Sequence, residues 1–386
     1  MTPVGWAQAR AAAHAAADPL PAAEVPLADA AGATLARPLR AATPVPGFAC
    51  SAMDGYAVGS AAGPWRLVGT RLAGDRAGDP LRPGEAVRIA TGAATPPGTY
   101  AVLPDEDATG TGGAVAAGGP LRAGRHLRGA GEDVPLGVDL LPAGTAVTAT
   151  VLGLAAEVGL DALAVRPRPA VAGLLTGAEL VRTGGSGDGR VRDGIGPALP
   201  GWVRDLGGDP LPVRYVPEDT PADLVEAVAK CAADVVVTSG GAGDGPADQV
   251  VPALRELGAT LVVDRVGCRP GRPMRLAALP DGRWWVVLPG SPYAGVVALL
   301  TLLDPLLAGL TGRPLAALPT AVLDVPAAGP VTRIVPVREV GRGAVAAVGP
   351  DRPGQLWGPA LAHAYAVVPP DHLPGGAVDL LTFHPQ

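Results

Sequence analysis

Lysine, cysteine, histidine and aromatic side chains are all scarce in this sequence, and each shortage removes a class of function. Lys230 is the only lysine among the 30 basic residues, and 36 Asp and Glu set the formal net charge at −6. Such a chain lacks the extended basic surface that nucleic acid or an acidic membrane requires, although one local basic pocket for a small anion stays open. Cys50, Cys231 and Cys268 are odd in number and far apart, so no disulfide framework is expected and a reducing cytoplasm fits. His14, His126, His363, His372 and His384 are scattered and carry no assigned role. No Cys-x-x-Cys, His-x-x-x-His or nucleophile elbow occurs. Residues 1–20 lack a basic start followed by an apolar block, so no signal peptide is expected. The longest apolar run, Tyr293–Leu303, is bounded by Pro292 and Asp304 and is too short to span a bilayer. With aromatics at 3%, the core must be mostly Val, Leu and Ala.

Glycine and proline are abundant instead, at 55 and 44, and they interrupt a sequence that is 48% hydrophobic. Many short elements joined by tight turns follow from that pattern. At 386 residues the chain is too long for one core and suggests two to four domains. Residues 5–17 read as a helix, and 24–36 as a second. From about 38 to 132 short apolar runs alternate with Gly, Pro and Asp, the texture of a β-rich lobe, in which Gly-rich 108–119 is a surface hairpin or loop. Val147–Val158 is helix-like again, so the chain leaves one domain, builds an inserted lobe and returns.

Between 168 and 310 strand and helix alternate. Ala170–Leu175, Val235–Thr238 and Trp284–Leu288 are continuous apolar runs, as expected of strands buried on both faces. Pro212–Val216 and Thr260–Val263 are further strands. Helices are expected at Pro197–Leu206, from Thr220-Pro221 to about Ala233, at Ala247–Leu257 and at Pro292–Leu310. The result is a mostly parallel sheet covered by helices, with a ligand site at the carboxyl ends of the strands. The final runs, Ala321–Val325, Val331–Val337, Ala364–Val368 and Val378–Thr382, form a small β domain.

Four turn segments carry the candidate chemistry: Pro46–Ala57 around Asp54, Thr238–Asp248, Arg269-Pro270-Gly271-Arg272-Pro273, and Leu288-Pro289-Gly290-Ser291-Pro292. The second follows a buried strand and precedes a helix. Its glycines let backbone amides approach a phosphate, and the helix start favours the anion. In the third, two guanidiniums on a stiff turn suit an oxyanion. The fourth again joins a strand to a helix start. Each also has a plain structural reading as a turn or cap. Asp54, Glu179, Asp244 and Asp248 supply carboxylates near these loops, and carboxylates bind a hard cation such as Mg²⁺.

At these segments the chain resembles the molybdopterin molybdenumtransferase family, of the MoeA and gephyrin C-terminal type. Ser51-Ala52-Met53-Asp54-Gly55-Tyr56-Ala57 is similar to the family's hallmark motif. Thr91-Gly92-Ala93, Gly131-Glu132-Asp133, Thr176-Gly177-Ala178-Glu179-Leu180, Ser239-Gly240-Gly241, Asp248, the Pro-Gly-x-Pro turn and Leu-Pro-Gly-x-Pro follow in the family's order. The resemblance covers essentially the whole chain. It implies a multidomain α/β protein with a mostly parallel three-layer molybdopterin-binding domain (167–313). A helical linker domain (1–38 and 133–166), an inserted β-rich lobe (39–132) and a C-terminal β-barrel-like domain (314–386) complete it.

The implied reaction inserts molybdate into adenylylated molybdopterin, uses Mg²⁺ or another divalent cation, and releases AMP. Asp54, Glu179 and Asp248 are the implied catalytic residues, and Asp54, Asp244 and Asp248 the implied metal ligands. Thr91, Asp193, Ser239, Gly240, Gly241, Pro289, Gly290, Ser291 and Pro292 are implied in substrate binding, and Arg265, Arg269, Arg272 and Arg338 in molybdate binding. A homodimer is implied, with sites between the α/β domain of one subunit and the β lobe of the other. Molybdopterin adenylyltransferase and molybdoenzymes are further implied partners. The chain departs from the family at several positions. Arg265, Arg269 and Arg272 replace lysines, Ala178 replaces Asp, Ser291 replaces Asn, Ala294 replaces Ser, and Trp357-Gly358-Pro359-Ala360 stands where serines are usual. These changes keep open a catalytically weak or inactive molybdopterin-binding scaffold as the alternative. A molybdopterin adenylyltransferase, which shares the α/β domain, is a weaker alternative, opposed by the inserted lobe and the Asp54 motif.

Overall fold

The computed structural model describes residues 3–110, 112–216, 220–243, 248–327 and 329–383. The Ala-rich start forms helix α1 (Trp6–Ala16), whose buried Trp6, Ala9 and Ala13 join the largest core cluster. The helix expected over 24–36 does not form. In its place stand β1 (Ala23–Pro26), a 3-10 turn and β2 (Thr34–Leu35). Pro26 has no N–H for a helix interior, and Gly32 adopts φ +75°, which ends any helical run.

The inserted region is a six-stranded sheet. Its strands are β3 (Gly55–Val58), β4 (Trp65–Arg71), β5 (Glu85–Ile89), β6 (Ala101–Pro104), β7 (Ala108–Thr109) and β8 (Ala114–Ala117), in the order β6–β3–β5–β4–β8–β7. The chain returns through α2 (Ala149–Glu157), capped by the Thr148 hydroxyl on Val151 N, and β9 (Ala162–Arg166), which pairs with both β1 and β2.

The α/β region begins at β10 (Ala170–Leu175). It continues with α3 (Leu199–Asp205), β11 (Asp209–Pro210), β12 (Arg214–Tyr215), α4 (Pro221–Ala229), β13 (Val235–Ser239) and α5 (Val250–Glu256). It closes with β14 (Thr260–Asp264), β15 (Arg275–Ala278), β16 (Trp284–Leu288), α6 (Pro292–Ala298) and α7 (Asp304–Thr311). The sheet order is β11–β10–β13–β16–β15–β14, with β12 also on β10. Pairings from β11 to β16 are parallel, and β15 and β14 add an antiparallel edge. Every residue of β13 and β16 is buried, because helices cover both faces. α6 and α7 are joined by a π-helical turn, Leu299–Leu303, into one helix from Pro292 to Thr311. Its 20 residues match a membrane span in length and apolarity, but 94% of its most apolar stretch is buried in the core.

The last strands are β17 (Thr320–Leu323), β18 (Thr332–Gly341), β19 (Ala344–Ala347), β20 (Ala364–Val368) and β21 (Gly376–Leu381). They run β18–β19–β17–β21–β20, and β20 pairs back with β18, closing a small barrel-like sheet. Cys268–Arg269 adds to β18 in parallel, level with Thr332 and Arg333.

Candidate functional site

The parallel register puts Leu175, Ser239 and Leu288 level with one another, so the turns that follow β10, β13 and β16 meet at one edge of the sheet. There Thr176 Oγ1 donates to the Ser239 carbonyl at 2.8 Å, and Gly240 N donates to the Leu288 carbonyl at 3.2 Å. Gly240 has φ +86°, and a Cβ on it would stand 3.0 Å from Thr176 Oγ1. A Cβ on Gly290 would be 3.5 Å from Gly240 Cα. These backbones touch, which is why glycine occupies the turns. The resulting cleft holds about 140 Å³ and is lined by Thr176, Glu179, Thr220, Gly240, Gly241 and Asp248 among others. Asp248 Oδ1 accepts from Gly243 N at 3.0 Å. Glu179 is exposed at the mouth, and the Ser239 side chain is buried. Asp244 lies outside the described residues.

A buried arginine stands beneath this loop. Arg275 on β15 is 1% exposed, donates to Asp264 at 2.8 Å, and its other arm donates to the Ala242 carbonyl. Sequence reasoning missed it. The signal was an arginine ahead of the apolar Leu276-Ala277-Ala278 run, a placement that requires a partner.

Asp193 forms the adjoining corner. Its buried carboxylate accepts from Ile195 N at 2.8 Å, Gly196 N at 3.0 Å and Tyr215 OH at 2.6 Å. Burial, then the bond to Asp193, pushes the Tyr215 phenol up to about 12, so it remains a donor at neutral pH. The Arg182 guanidinium lies 5.1 Å over the Tyr215 ring. A Cβ on Gly194 would stand 3.4 Å from the Pro292 ring, so this corner abuts Pro289-Gly290-Ser291-Pro292 at the start of α6.

The arginine turn lies on the same helix. Arg269-Pro270 is cis, Arg265 has φ +66° and Gly271 φ +109°. Val266 N donates to the Arg272 carbonyl at 3.0 Å. A Cβ on Gly271 would meet Met274 Cε at 2.6 Å and the Ala294 carbonyl at 3.6 Å, so the turn rests on the first turn of α6. Arg269 and Arg272 are exposed and Arg265 is half-buried. Cys268 beneath them is buried, which pushes its thiol up to about 12 and leaves it a poor nucleophile. Arg338 is apart from this group. Arg269 is level with Arg333, and five residues along an extended strand is roughly 17 Å.

Asp54 and Thr91 sit on the inserted sheet. Gly55 must be glycine, because a Cβ would lie 2.1 Å from the Leu103 carbonyl. Asp54 Oδ1 accepts from Thr91 N at 2.6 Å and Thr91 Oγ1 at 2.9 Å. These two bonds, with help from Arg88, hold the exposed Asp54 carboxyl below its ordinary range. Arg88 is itself placed by Tyr56 OH and Asp105, each at 2.8 Å. The structure thus gathers Glu179, Gly240, Gly241 and Asp248 in one cleft, with the 289–292 corner beside it. Asp54 and Thr91 form a separate pair and do not line that cleft.

Two family models match the chain. One describes the MoeA N-terminal region (domain I and II) and covers residues 4–159; the other describes a probable molybdopterin binding domain and covers 172–309. A molybdopterin molybdenumtransferase of Synechococcus elongatus is 32% identical over 304 residues, spanning 75% of each chain. Molybdopterin molybdenumtransferase 2 of Mycobacterium tuberculosis is 35% identical over 312 residues, again 75% of each chain. A crystal structure of a molybdopterin biosynthesis MoeA protein from Pyrococcus horikoshii superposes with a TM-score of 0.83 at 25% identity, over 100% of both chains.

Proposed function

The chain belongs to the molybdopterin molybdenumtransferase family, and from that membership we infer how its surfaces divide the reaction. The protein is an enzyme of molybdenum cofactor biosynthesis that inserts molybdenum into molybdopterin. Its substrates are adenylylated molybdopterin and molybdate. The reaction places molybdenum on the dithiolene, hydrolyses the pyrophosphate link and releases AMP. A cytoplasmic setting, with molybdopterin adenylyltransferase upstream and molybdoenzymes downstream, completes the reading.

Gly240, Gly241 and the Pro289-Gly290-Ser291-Pro292 corner receive the phosphorylated molybdopterin, because side-chain-free glycine turns at the strand ends let it approach the backbone beside the cleft. Ser239 fixes the strand end from inside, and Asp193 shapes the neighbouring wall. Arg269 and Arg272, helped by Arg265, hold the molybdate oxyanion; a guanidinium fork suits it as well as the more usual lysine charge. Arg338 contributes from the barrel if the substrate spans that distance.

Glu179 and Asp248 on one cleft fit a Mg²⁺ ion, which keeps several waters and takes one or two carboxylates together with substrate phosphates. No cluster of three His, Cys, Asp or Glu exists among the described residues, so waters and substrate phosphates would complete the shell of such an ion. A bound Mg²⁺ neutralises charge on the pyrophosphate. The observation that carries the dimer reading is Asp54: an ionised, exposed carboxylate, held in place by Thr91 but outside its own subunit's cleft. A homodimer that seats Asp54 and Thr91 over the partner's cleft completes the site.

AMP release from adenylylated molybdopterin tests the reading. Release should require molybdate, and the Arg269→Ala/Arg272→Ala variant should need on the order of tenfold more of it. Molybdate-independent release, or an unchanged requirement in the variant, contradicts the assignment.

A further inference from the structure

The connectors that lead into and out of the α/β region are both Arg-Pro segments: Arg166-Pro167-Arg168-Pro169 before it and Arg313-Pro314 after it. Both lie outside the stretches that the two family models match. The fold brings them together around Gly312. A Cβ on Gly312 would lie 3.1 Å from the Arg166 guanidinium, and one on Gly207 would lie 3.2 Å from the Arg313 guanidinium. A Cβ on Gly144, across the junction, would lie 3.0 Å from the Gly312 carbonyl. Arg313 Nε donates to Thr311 Oγ1 at 3.0 Å, and the Arg313 carbonyl is 2.9 Å from His14 Nε2. Arg168 Nε donates to the Gly32 carbonyl at 2.9 Å.

Countercharge is short here. Among the described residues none of the three arginines has a carboxylate within ion-pair distance. The acidic group that acts on Arg313 is Asp304, which already accepts from Arg10 at 3.2 Å, while Arg168 acts on Arg313 as a like charge. Arg166 Nε is buried and has no hydrogen-bond partner. A buried donor on a cation is rarely left without an acceptor. A tetrahedral dianion offers several acceptor oxygens and two charges to a set of guanidinium forks.

We propose that Arg166, Arg168 and Arg313 form a second oxyanion site, which takes one phosphate-like tetrahedral dianion per protomer and ties the two connectors together. The site is distinct from the Arg269–Arg272 turn. Occupancy stiffens the junction between the α/β region and the region that carries the β lobe.

The test uses full-length Arg269→Ala/Arg272→Ala protein, which removes the two turn guanidiniums as competing oxyanion ligands, and assigns to the junction only the binding that Arg168→Gln weakens. Calorimetric titration at constant ionic strength, with phosphate in one arm and molybdate in the other, should give one saturable site per protomer with at least one of them. Whichever binds more tightly identifies the natural source. Saturation should raise the unfolding midpoint by about 3 °C. Arg168 is exposed, so Arg168→Gln on that background should fold and should weaken binding at least tenfold. Arg168→Lys should recover part of the loss. No saturable heat with either anion overturns the proposal, as does unchanged affinity in both Arg168→Gln and Arg313→Gln.

Discussion

Asp248 and Asp54 both sit in glycine-rich turns, yet their surroundings differ. Asp248 lines a cleft, accepts an amide from its own loop, and belongs to a turn that Arg275 anchors from below. Asp54 stands on an open face of the inserted sheet, and one residue, Thr91, fixes its carboxylate with two bonds. The cleft region is complete as architecture, because strand ends, glycine turns and a buried arginine support one another. The Asp54 face offers a presented group, an ionised and oriented carboxylate that does not line this cleft. A catalytic surface split in this way is what the proposed homodimer would assemble from two molecules.

The largest expected effect separates the two regions by stability. Arg275→Ala removes a buried cation and strands Asp264, a change that should cost about 3–5 kcal/mol. Amide exchange should accelerate in the Gly240–Gly243 turn and β14, and stay at the wild-type rate in the sheet that carries Asp54. Equal acceleration in both regions would mean they are not separate supports.

Asp54→Asn should act on chemistry alone. Asn accepts the same local bonds from Thr91 but carries no charge, so the fold should persist while AMP release falls on the order of a hundredfold. A well-folded variant with wild-type release would make Asp54 a turn residue.

How much of this could be read in advance depended on the physical signal. Ala170–Leu175, Trp284–Leu288 and Ala364–Val368 appear as strands with the bounds their apolar runs suggest, because strands buried on both faces leave an unbroken run. The α4 start was legible in Thr220-Pro221, and the Thr220 hydroxyl does accept from Asp223 N. The supposed helix at 24–36 failed because apolar spacing there competes with Pro26 and a left-handed Gly32. β15 escaped notice because it has four residues and opens on an arginine. The site's segments were legible as motifs, but their meeting is set by the register of three parallel strands, which no single segment encodes. Arg275 and Tyr215 stayed hidden for a related reason, since their partners Asp264, Ala242 and Asp193 are brought close only by the fold.

A smaller effect belongs to the corner beside the cleft. Tyr215→Phe leaves buried Asp193 with one donor fewer and should cost about 1–3 kcal/mol. The Tyr215 phenol is raised to about 12 in the fold, above the roughly 10 of an unfolded tyrosine, so the protonated form is the one the fold favours. Its contribution is full below about pH 10 and is lost as pH rises through about 12. Wild type should therefore lose stability in that alkaline window, and Tyr215→Phe should lose less. Parallel curves for the two proteins would remove Asp193–Tyr215 from the account.

Complementation between two inactive proteins measures the split site most directly. Asp54→Asn and Asp248→Asn, each assayed alone for molybdate-dependent AMP release, should be strongly impaired. After mixing under conditions that exchange subunits, half the dimers are mixed and each has one unaltered composite site, so activity should return to about a quarter of wild type. A mixture that exchanges subunits yet regains nothing would contradict a site that takes its cleft from one subunit and Asp54 from the other.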